Sequence, residues 1–132
     1  MLFRSVSQSR YVVVGCASGV DFAVRRSFPS ASVFFASSFG SGRGSFARRS
    51  VAVVSQAVGV RGAFFVSFPA VACPAGLLPS SVSSSCFCGS GCGSWASLAF
   101  AVGCGVSSLV WLPSGVSVPS SWGFVSLGGG WW

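Results

Sequence analysis

The stretch Trp95–Leu112, WASLAFAVGCGVSSLVWL, is the segment that decides the fold class of this chain. Its 18 residues carry no charge, and 18 residues is the low end of the length at which a helix crosses a bilayer. Trp95 and Trp111 lie near its two ends, where interfacial aromatic residues belong. Ser94 is suited to begin a helix and Pro113 to stop one. The sequence therefore predicts a transmembrane helix over about 95–112, with a lipid bilayer as its partner.

Two glycines within this stretch leave an alternative open. Gly103 and Gly105 weaken it as a helix, although small residues also suit close helix packing in membranes. The alternative is a buried or aggregated apolar segment. A second apolar stretch, residues 62–78, is interrupted by two prolines and is the weaker candidate for a span.

The composition of the whole chain is narrow. Ser, Val, Gly, Ala, Phe and Arg supply 103 of the 132 residues, and only 7% are charged, against about 25% in an ordinary soluble domain. Ser, Gly and Pro together number 53, a share above the ~25–30% that indicates low complexity. The sequence therefore predicts no globular fold, but a low-complexity, largely irregular chain with one candidate transmembrane helix and short Val/Phe runs that are typical of strands. These runs lie at 11–14, 32–35, 51–60 and 63–68.

Charge divides the chain into two segments. All eight arginines lie in residues 1–61, a basic Arg/Ser/Gly-rich segment that we expect to be disordered. Residues 62–132 form an uncharged, apolar Gly/Ser/Cys/Trp segment that contains the candidate span. If the chain is a membrane protein, the basic segment should stay on the cytoplasmic or matrix side.

The missing residue types point to the coding strand. Val and Ile are nearly isosteric, yet the chain has 21 Val and no Ile; likewise it has 29 Ser and no Thr. Ten residue types can be encoded only by codons with adenine at the first or second position, and they supply only five residues: Met1, Gln8, Tyr11, Asp21 and Gln56. Stop codons all contain adenine, so an adenine-poor strand stays open over long stretches. The leading hypothesis is a translated open reading frame with no assignable biochemical function.

The same gaps exclude most enzyme chemistry. There is no His, and Asp21 is the only carboxylate side chain, so neither a catalytic triad nor a carboxylate pair can be built. We therefore expect no catalytic residues, no cofactor and no enzyme. Cys86, Cys88 and Cys92 are spaced closely enough to meet one soft metal ion, but a fourth ligand would have to be Cys104. Unpaired thiols are the simpler interpretation, and no metal is assigned.

One basic stretch is a candidate for binding nucleic acid. In FGSGRGSFARRS, residues 39–50, Arg43, Arg48 and Arg49 could neutralise phosphates while two phenylalanines offer stacking surfaces. The net charge of +7 favours attraction to any polyanion. The sequence thus carries two alternatives to the open-reading-frame hypothesis: a small non-enzymatic membrane protein, or a basic polypeptide that binds nucleic acid non-specifically through these arginines.

The N-terminus carries a weak targeting signal. Arg4, Arg10 and several serines, with no acidic residue before Asp21, are typical of an organellar transit peptide. A chain this poor in acidic residues imitates such a signal anywhere along its length. Localisation is therefore predicted only as far as a membrane, if the candidate span is real.

Overall fold

The computed structural model describes residues 11–15, 19–42, 44–89 and 92–132. Four strands and four α-helices occur in these ranges, together with short 3-10 helices at Ala36–Phe39 and Ser120–Trp122. In chain order the main elements are β1 (Val13–Gly15), α1 (Val20–Ser27), β2 (Ser32–Phe34), α2 (Gly44–Ser55), β3 (Phe64–Ser67), α3 (Ser83–Cys86), α4 (Gly93–Gly103) and β4 (Ser107–Val110). The predicted N-terminal targeting signal, with Arg4 and Arg10, lies outside the described residues.

The chain divides into two compact units, Met1–Val53 and Val54–Trp132. The described part of the first unit is built on a β1–α1–β2 arrangement, in which the two strands are parallel and Val14 lies opposite Val33. Helix α1 has Asp21 in its first turn and two arginines in its last, so the charges complement the helix dipole. Pro29 follows the end of α1, where a helix cannot continue without losing a hydrogen bond.

The second unit repeats the same arrangement with β3, α4 and β4. The two strands are again parallel, and Phe64, Val66 and Ser67 lie opposite Ser107, Leu109 and Val110, respectively. Parallel strands need a crossover connection, and α4 supplies it while packing against both strands. Each unit therefore uses a two-stranded parallel sheet with a helix as its frame.

Helix α4 forms the core of the second unit. All seven residues from Trp95 to Ala101 are buried, and the side chains of Trp95 and Leu98 are completely inaccessible to solvent. A helix that is apolar on every face has to be covered on every face. Cover comes in part from Trp122, which packs edge-to-face on Trp95 with ring centroids 5.6 Å apart, and from β3, β4 and α3, which all contact α4.

The C-terminus of α4 explains why the predicted span is wrong. Gly105 adopts a φ of +78°, its N–H donates to the carbonyl of Val102, and the Val106 N–H donates to that of Ala101. This pair of hydrogen bonds around a left-handed glycine is the Schellman motif, which ends a helix. The prediction of one helix over 95–112 is thereby corrected: α4 stops at Gly103 and the chain continues into β4.

Eleven residues give α4 a length of about 16 Å, roughly half of the ~30 Å hydrocarbon core of a bilayer. Within the ranges that the structure describes, no helix has both the length and the apolar character needed to cross a membrane. The apolar stretch is instead a buried helix followed by a strand, which is closer to the alternative interpretation of that segment.

The C-terminal segment returns to β4. Val110 and Trp132 exchange backbone hydrogen bonds of 3.1 and 2.9 Å, and the Leu112 N–H donates to the Gly130 carbonyl. The positive φ of Gly130 belongs to the tight turn that brings the chain back. The end of the chain thereby closes one edge of the β3–β4 sheet.

The prediction of a largely irregular chain without a globular fold is wrong. The runs at 32–35 and 63–68 contain strands β2 and β3, and the run at 11–14 overlaps β1. The run at 51–60 has no strand, because α2 occupies it as far as Ser55 and a turn follows. Disorder of the basic segment is not supported either, because α1 and α2 both lie in it. Packing of Ala- and Leu-containing helices against short strands compensates for the poor local propensities.

Candidate polyanion-binding site

Gly15, at the end of β1, is the point at which three charged side chains meet. The Arg25 guanidinium, in the last turn of α1, donates a hydrogen bond of 2.8 Å to the Gly15 carbonyl oxygen. A Cβ at Gly15 would lie 2.6 Å from Asp21 Oδ2 and 3.1 Å from Arg49 Cζ. Because Gly15 has no side chain, the carboxylate from α1 and the guanidinium from α2 can both lie against its backbone.

The charged side chains that meet at Gly15 have a net positive charge. Arg25 and Arg49 bring two guanidinium groups and Asp21 brings one carboxylate, so the local sum is positive. The carboxylate offsets part of the repulsion between the two cations. Arg26, one residue along α1, is exposed and adds a third cation to the same helix end.

Two exposed phenylalanine rings flank these cations. The Phe22 ring lies 5.6 Å from Arg25 Cζ and 6.0 Å from Arg26 Cζ, and the Phe46 ring lies 5.8 Å from Arg49 Cζ. These are cation–π distances between residues three or four positions apart on a helix. Both residues are about half exposed to solvent, 51% for Phe22 and 56% for Phe46.

We call this group the Arg–Phe cluster: Phe22, Arg25, Arg26, Phe46 and Arg49. Its contacts form one series, from Phe22 through Arg25 to Gly15 and on through Arg49 to Phe46. A surface with guanidinium groups between accessible rings offers phosphate partners and base-stacking faces side by side.

The arginines predicted to bind a polyanion are placed differently from one another. Arg49 belongs to the Arg–Phe cluster, whereas Arg43 lies outside the described residues. Arg48 is exposed, but its Nε donates a 2.7 Å hydrogen bond to the Phe39 carbonyl, and its guanidinium lies beside Gly40 and Gly44. Arg48 therefore holds the turn that precedes α2 and is not part of the cluster.

The two phenylalanines of the basic stretch also have different roles. Phe46 is an exposed member of the Arg–Phe cluster. Phe39 is half-buried and stacks on Phe34, with centroids 6.3 Å apart and an interplanar angle of 28°, so it serves the packing of the first unit. Phe22, Arg25 and Arg26 were missed, although their i, i+3 and i+4 spacing was a local signal that could have identified them.

Five of the six cysteines lie in the second unit, and the sixth, Cys16, is outside the described residues. No group of three or more metal-ligating side chains occurs among the described residues. Cys86 is buried, and its thiol donates to the Ser80 carbonyl at 3.5 Å. Burial raises the pKa of the Cys86 thiol above its ordinary value, and the nearby Cys104 and Cys88 add to the rise. Cys86 therefore stays protonated and weakly nucleophilic at neutral pH.

The Arg–Phe cluster is thus the described surface with the most chemistry to offer a ligand. It provides cationic hydrogen-bond donors and two accessible rings. Comparison of the chain with protein-family models, with curated proteins and with solved structures finds no match.

Proposed function

We propose that the first unit binds single-stranded nucleic acid, without sequence preference, through the Arg–Phe cluster. The observation that carries the proposal is the placement of the half-exposed Phe22 and Phe46 rings beside the guanidinium groups of Arg25, Arg26 and Arg49. Base–aromatic stacking contributes about 1–3 kcal/mol per base and tolerates every base, because each base has a π-face. The guanidinium groups would neutralise the phosphates between the stacked bases.

Single strands are favoured over duplexes for a geometric reason. A protein ring can stack only on a base whose own face is open, and duplex bases are already stacked on one another. The cluster also lacks a long, continuous row of cations that could follow a duplex backbone. No catalysis is part of this proposal, and the lack of His still predicts that the chain is not an enzyme.

The test measures binding of a fluorescein-labelled 20-mer of deoxythymidine by anisotropy over a range of salt concentrations. For single strands, log Kd changes with log salt by about 0.7 for each phosphate contact. Arg26→Ala should therefore weaken binding and lower this slope by about 0.7, because an exposed cation of the cluster is lost.

Arg61→Ala is the matched control. Arg61 is exposed, lies in the second unit, and its loss changes the net charge by the same amount. The variant should bind the 20-mer as the wild type does. If Arg61→Ala and Arg26→Ala weaken binding equally, or if a duplex of the same length binds as tightly as the single strand, the proposal is wrong.

We also propose that the narrow composition comes from an adenine-poor coding strand, a statement about the origin of the sequence. The ten residue types that need adenine at the first or second codon position supply only five residues. If the 20-mer does not bind at low salt, the result favours the open-reading-frame hypothesis, in which the chain has no biochemical role.

A further inference from the structure

Two cysteines of the second unit are brought together where α3 packs on the end of α4. Cys86 is the last residue of α3, and its thiol donates to the Ser80 carbonyl at 3.5 Å. Gly103, the last residue of α4, packs directly against that same carbonyl group. Cys104 follows Gly103, and consecutive Cα atoms are about 3.8 Å apart. The Cys104 backbone is therefore one residue away from the group that the Cys86 thiol contacts.

Cys104 also lies on the face of α4 that the chain around Cys86 covers. The Cys104 N–H donates to the Phe100 carbonyl at 2.9 Å, and residues four positions apart share one face of a helix. The Phe87 ring packs edge-to-face on the Phe100 ring, with centroids 6.3 Å apart, so the chain directly after Cys86 lies over this face. Burial raises the pKa of the Cys86 thiol, and the nearness of Cys104 raises it further.

The two thiols differ in accessibility, which gives them different chemical roles. Cys86 is buried, whereas Cys104 is half-buried and can be reached by a small reagent from solvent. Both are free thiols. The S–H group is a weak hydrogen-bond donor, so the Cys86 sulfur loses little by turning from the Ser80 carbonyl towards a neighbouring sulfur.

We propose that Cys86 and Cys104 form a disulfide when the chain meets a small-molecule disulfide, RSSR, so that the second unit carries a redox-controlled cross-link between α3 and α4. The cross-link goes beyond the nucleic-acid binding proposed for the first unit, because both cysteines belong to the second.

The reaction proceeds by two thiol–disulfide exchanges. The Cys104 thiolate attacks one sulfur of RSSR; a Cys104–SR bond forms, and RS⁻ leaves and takes up the proton that Cys104 lost. The Cys86 thiolate then attacks the Cys104 sulfur and displaces the second RS⁻, which takes up the proton of Cys86. The second step is intramolecular, so Cys86 needs no access to solvent. The two thiols together lose two electrons and two protons, and RSSR is reduced to two RSH.

The test oxidises the reduced full chain with 2-hydroxyethyl disulfide, blocks the remaining thiols with iodoacetamide and identifies chymotryptic peptides by mass spectrometry. Cleavage after Phe87 separates Cys86 from Cys88, so each pairing gives a different product. Peptide 78–87 should be found joined to peptide 101–109. In concentrated urea this product should decrease in favour of pairs closer in sequence, because a shorter loop costs less entropy to close. An unchanged yield in urea would mean that the fold does not select the pair, and the proposal would be wrong.

Stability provides the second measurement. The cross-link restricts the unfolded chain, so oxidation should raise the urea midpoint of the wild type by about 1 M. Cys104→Ala should lose both the joined peptides and this rise. Cys88→Ala is the matched control, since it removes another thiol near Cys86 and should keep both.

Three results would overturn the proposal. They are a main product that joins peptide 78–87 to peptide 88–95, the lack of any joined peptide from the folded chain, and equal urea midpoints of the oxidised and reduced wild type.

Discussion

Gly103 lies directly against the backbone of Ser80, so that a Cβ at position 103 would overlap the Ser80 carbonyl group. The Ser80 N–H donates to the carbonyl of Ala99, one turn earlier in α4, and the Ser80 carbonyl accepts the Cys86 thiol. This close approach ties the loop before α3 to the C-terminal turn of α4. It requires glycine for space, whereas the nearby Gly105 is required for its left-handed φ.

We expect Gly103→Ala to lower the free energy of unfolding by more than about 2 kcal/mol, because backbone atoms cannot move aside as a flexible side chain can. Gly93→Ala is the control at the opposite end of α4, where a Cβ would meet nothing within 4 Å. That variant should be neutral or stabilising by up to ~1 kcal/mol. Urea unfolding of the two variants measures both values, and equal stability of the two would contradict the close approach.

Alkaline pH should destabilise the second unit through Cys86. Burial raises the folded-state pKa of this thiol, so the unfolded chain loses its proton first as the pH rises. The stabilising contribution is complete below the unfolded pKa of about 8.5 and is lost as the pH rises through the higher folded value. Unfolding free energies measured between pH 7 and 10 should therefore decrease with pH.

Cys86→Ala should show a smaller decrease, while Cys88→Ala, which removes an exposed thiol and only the smallest contribution to the Cys86 pKa, should change the pH dependence less than Cys86→Ala does. A decrease that Cys86→Ala leaves unchanged would assign the pH effect to other groups, among them Cys73, whose pKa burial also raises.

Asp21→Asn should strengthen binding of the deoxythymidine 20-mer. Asp21 is the only carboxylate side chain of the chain and lies beside the Arg49 guanidinium, where it repels phosphate. Removing one charge at a partly exposed position should raise the affinity by about two- to fivefold at low salt. The gain should disappear near 1 M salt, where the Debye length is about 3 Å. Weaker binding by Asp21→Asn at low salt would mean that the carboxylate positions the cluster instead of opposing it.

The coding strand offers a check that does not depend on the protein. If adenine is scarce because of strand composition, it should also be scarce at third codon positions, where the base seldom changes the encoded amino acid. Sequencing the gene and its neighbours gives this frequency directly. If the frequency of adenine at third codon positions equals that of neighbouring genes, strand composition does not explain the missing residue types, and selection on the protein does.

Parts of the fold could be predicted from local sequence. Val33 and Phe34 in β2 and Phe64 to Val66 in β3 lie in apolar runs bounded by Pro, Ser or Gly, which are typical of strands. The start of α4 was placed two residues late, since Ser94 was taken as the N-cap of a helix over 95–112, whereas Cys92 is the N-cap and Gly93 the first helical residue. Its end was wrong because the glycines at 103 and 105 were weighed as membrane-packing residues rather than as a helix stop.

The rest of the fold and most of the cluster could not be predicted from local sequence. Helix α2 overrides the strand propensity of Val51 and Val53, because its earlier turns contain good helix formers such as Ala47 and Arg48. Arg25 and Arg49 both lie against Gly15, although the three residues are far apart in the chain, and no spacing pattern predicts this contact. For this reason Arg49 and Phe46 were predicted, but Phe22, Arg25 and Arg26 were not.

The central claim is that exposed rings, and not charge alone, bind the nucleic acid. The most direct measurement is the affinity of Phe22→Ala/Phe46→Ala for the deoxythymidine 20-mer, since this variant keeps every charge and removes two half-exposed side chains. Loss of two stacking contacts should weaken binding at least about tenfold and leave the salt slope unchanged. An affinity equal to that of the wild type would contradict the claim and reduce the cluster to a basic surface.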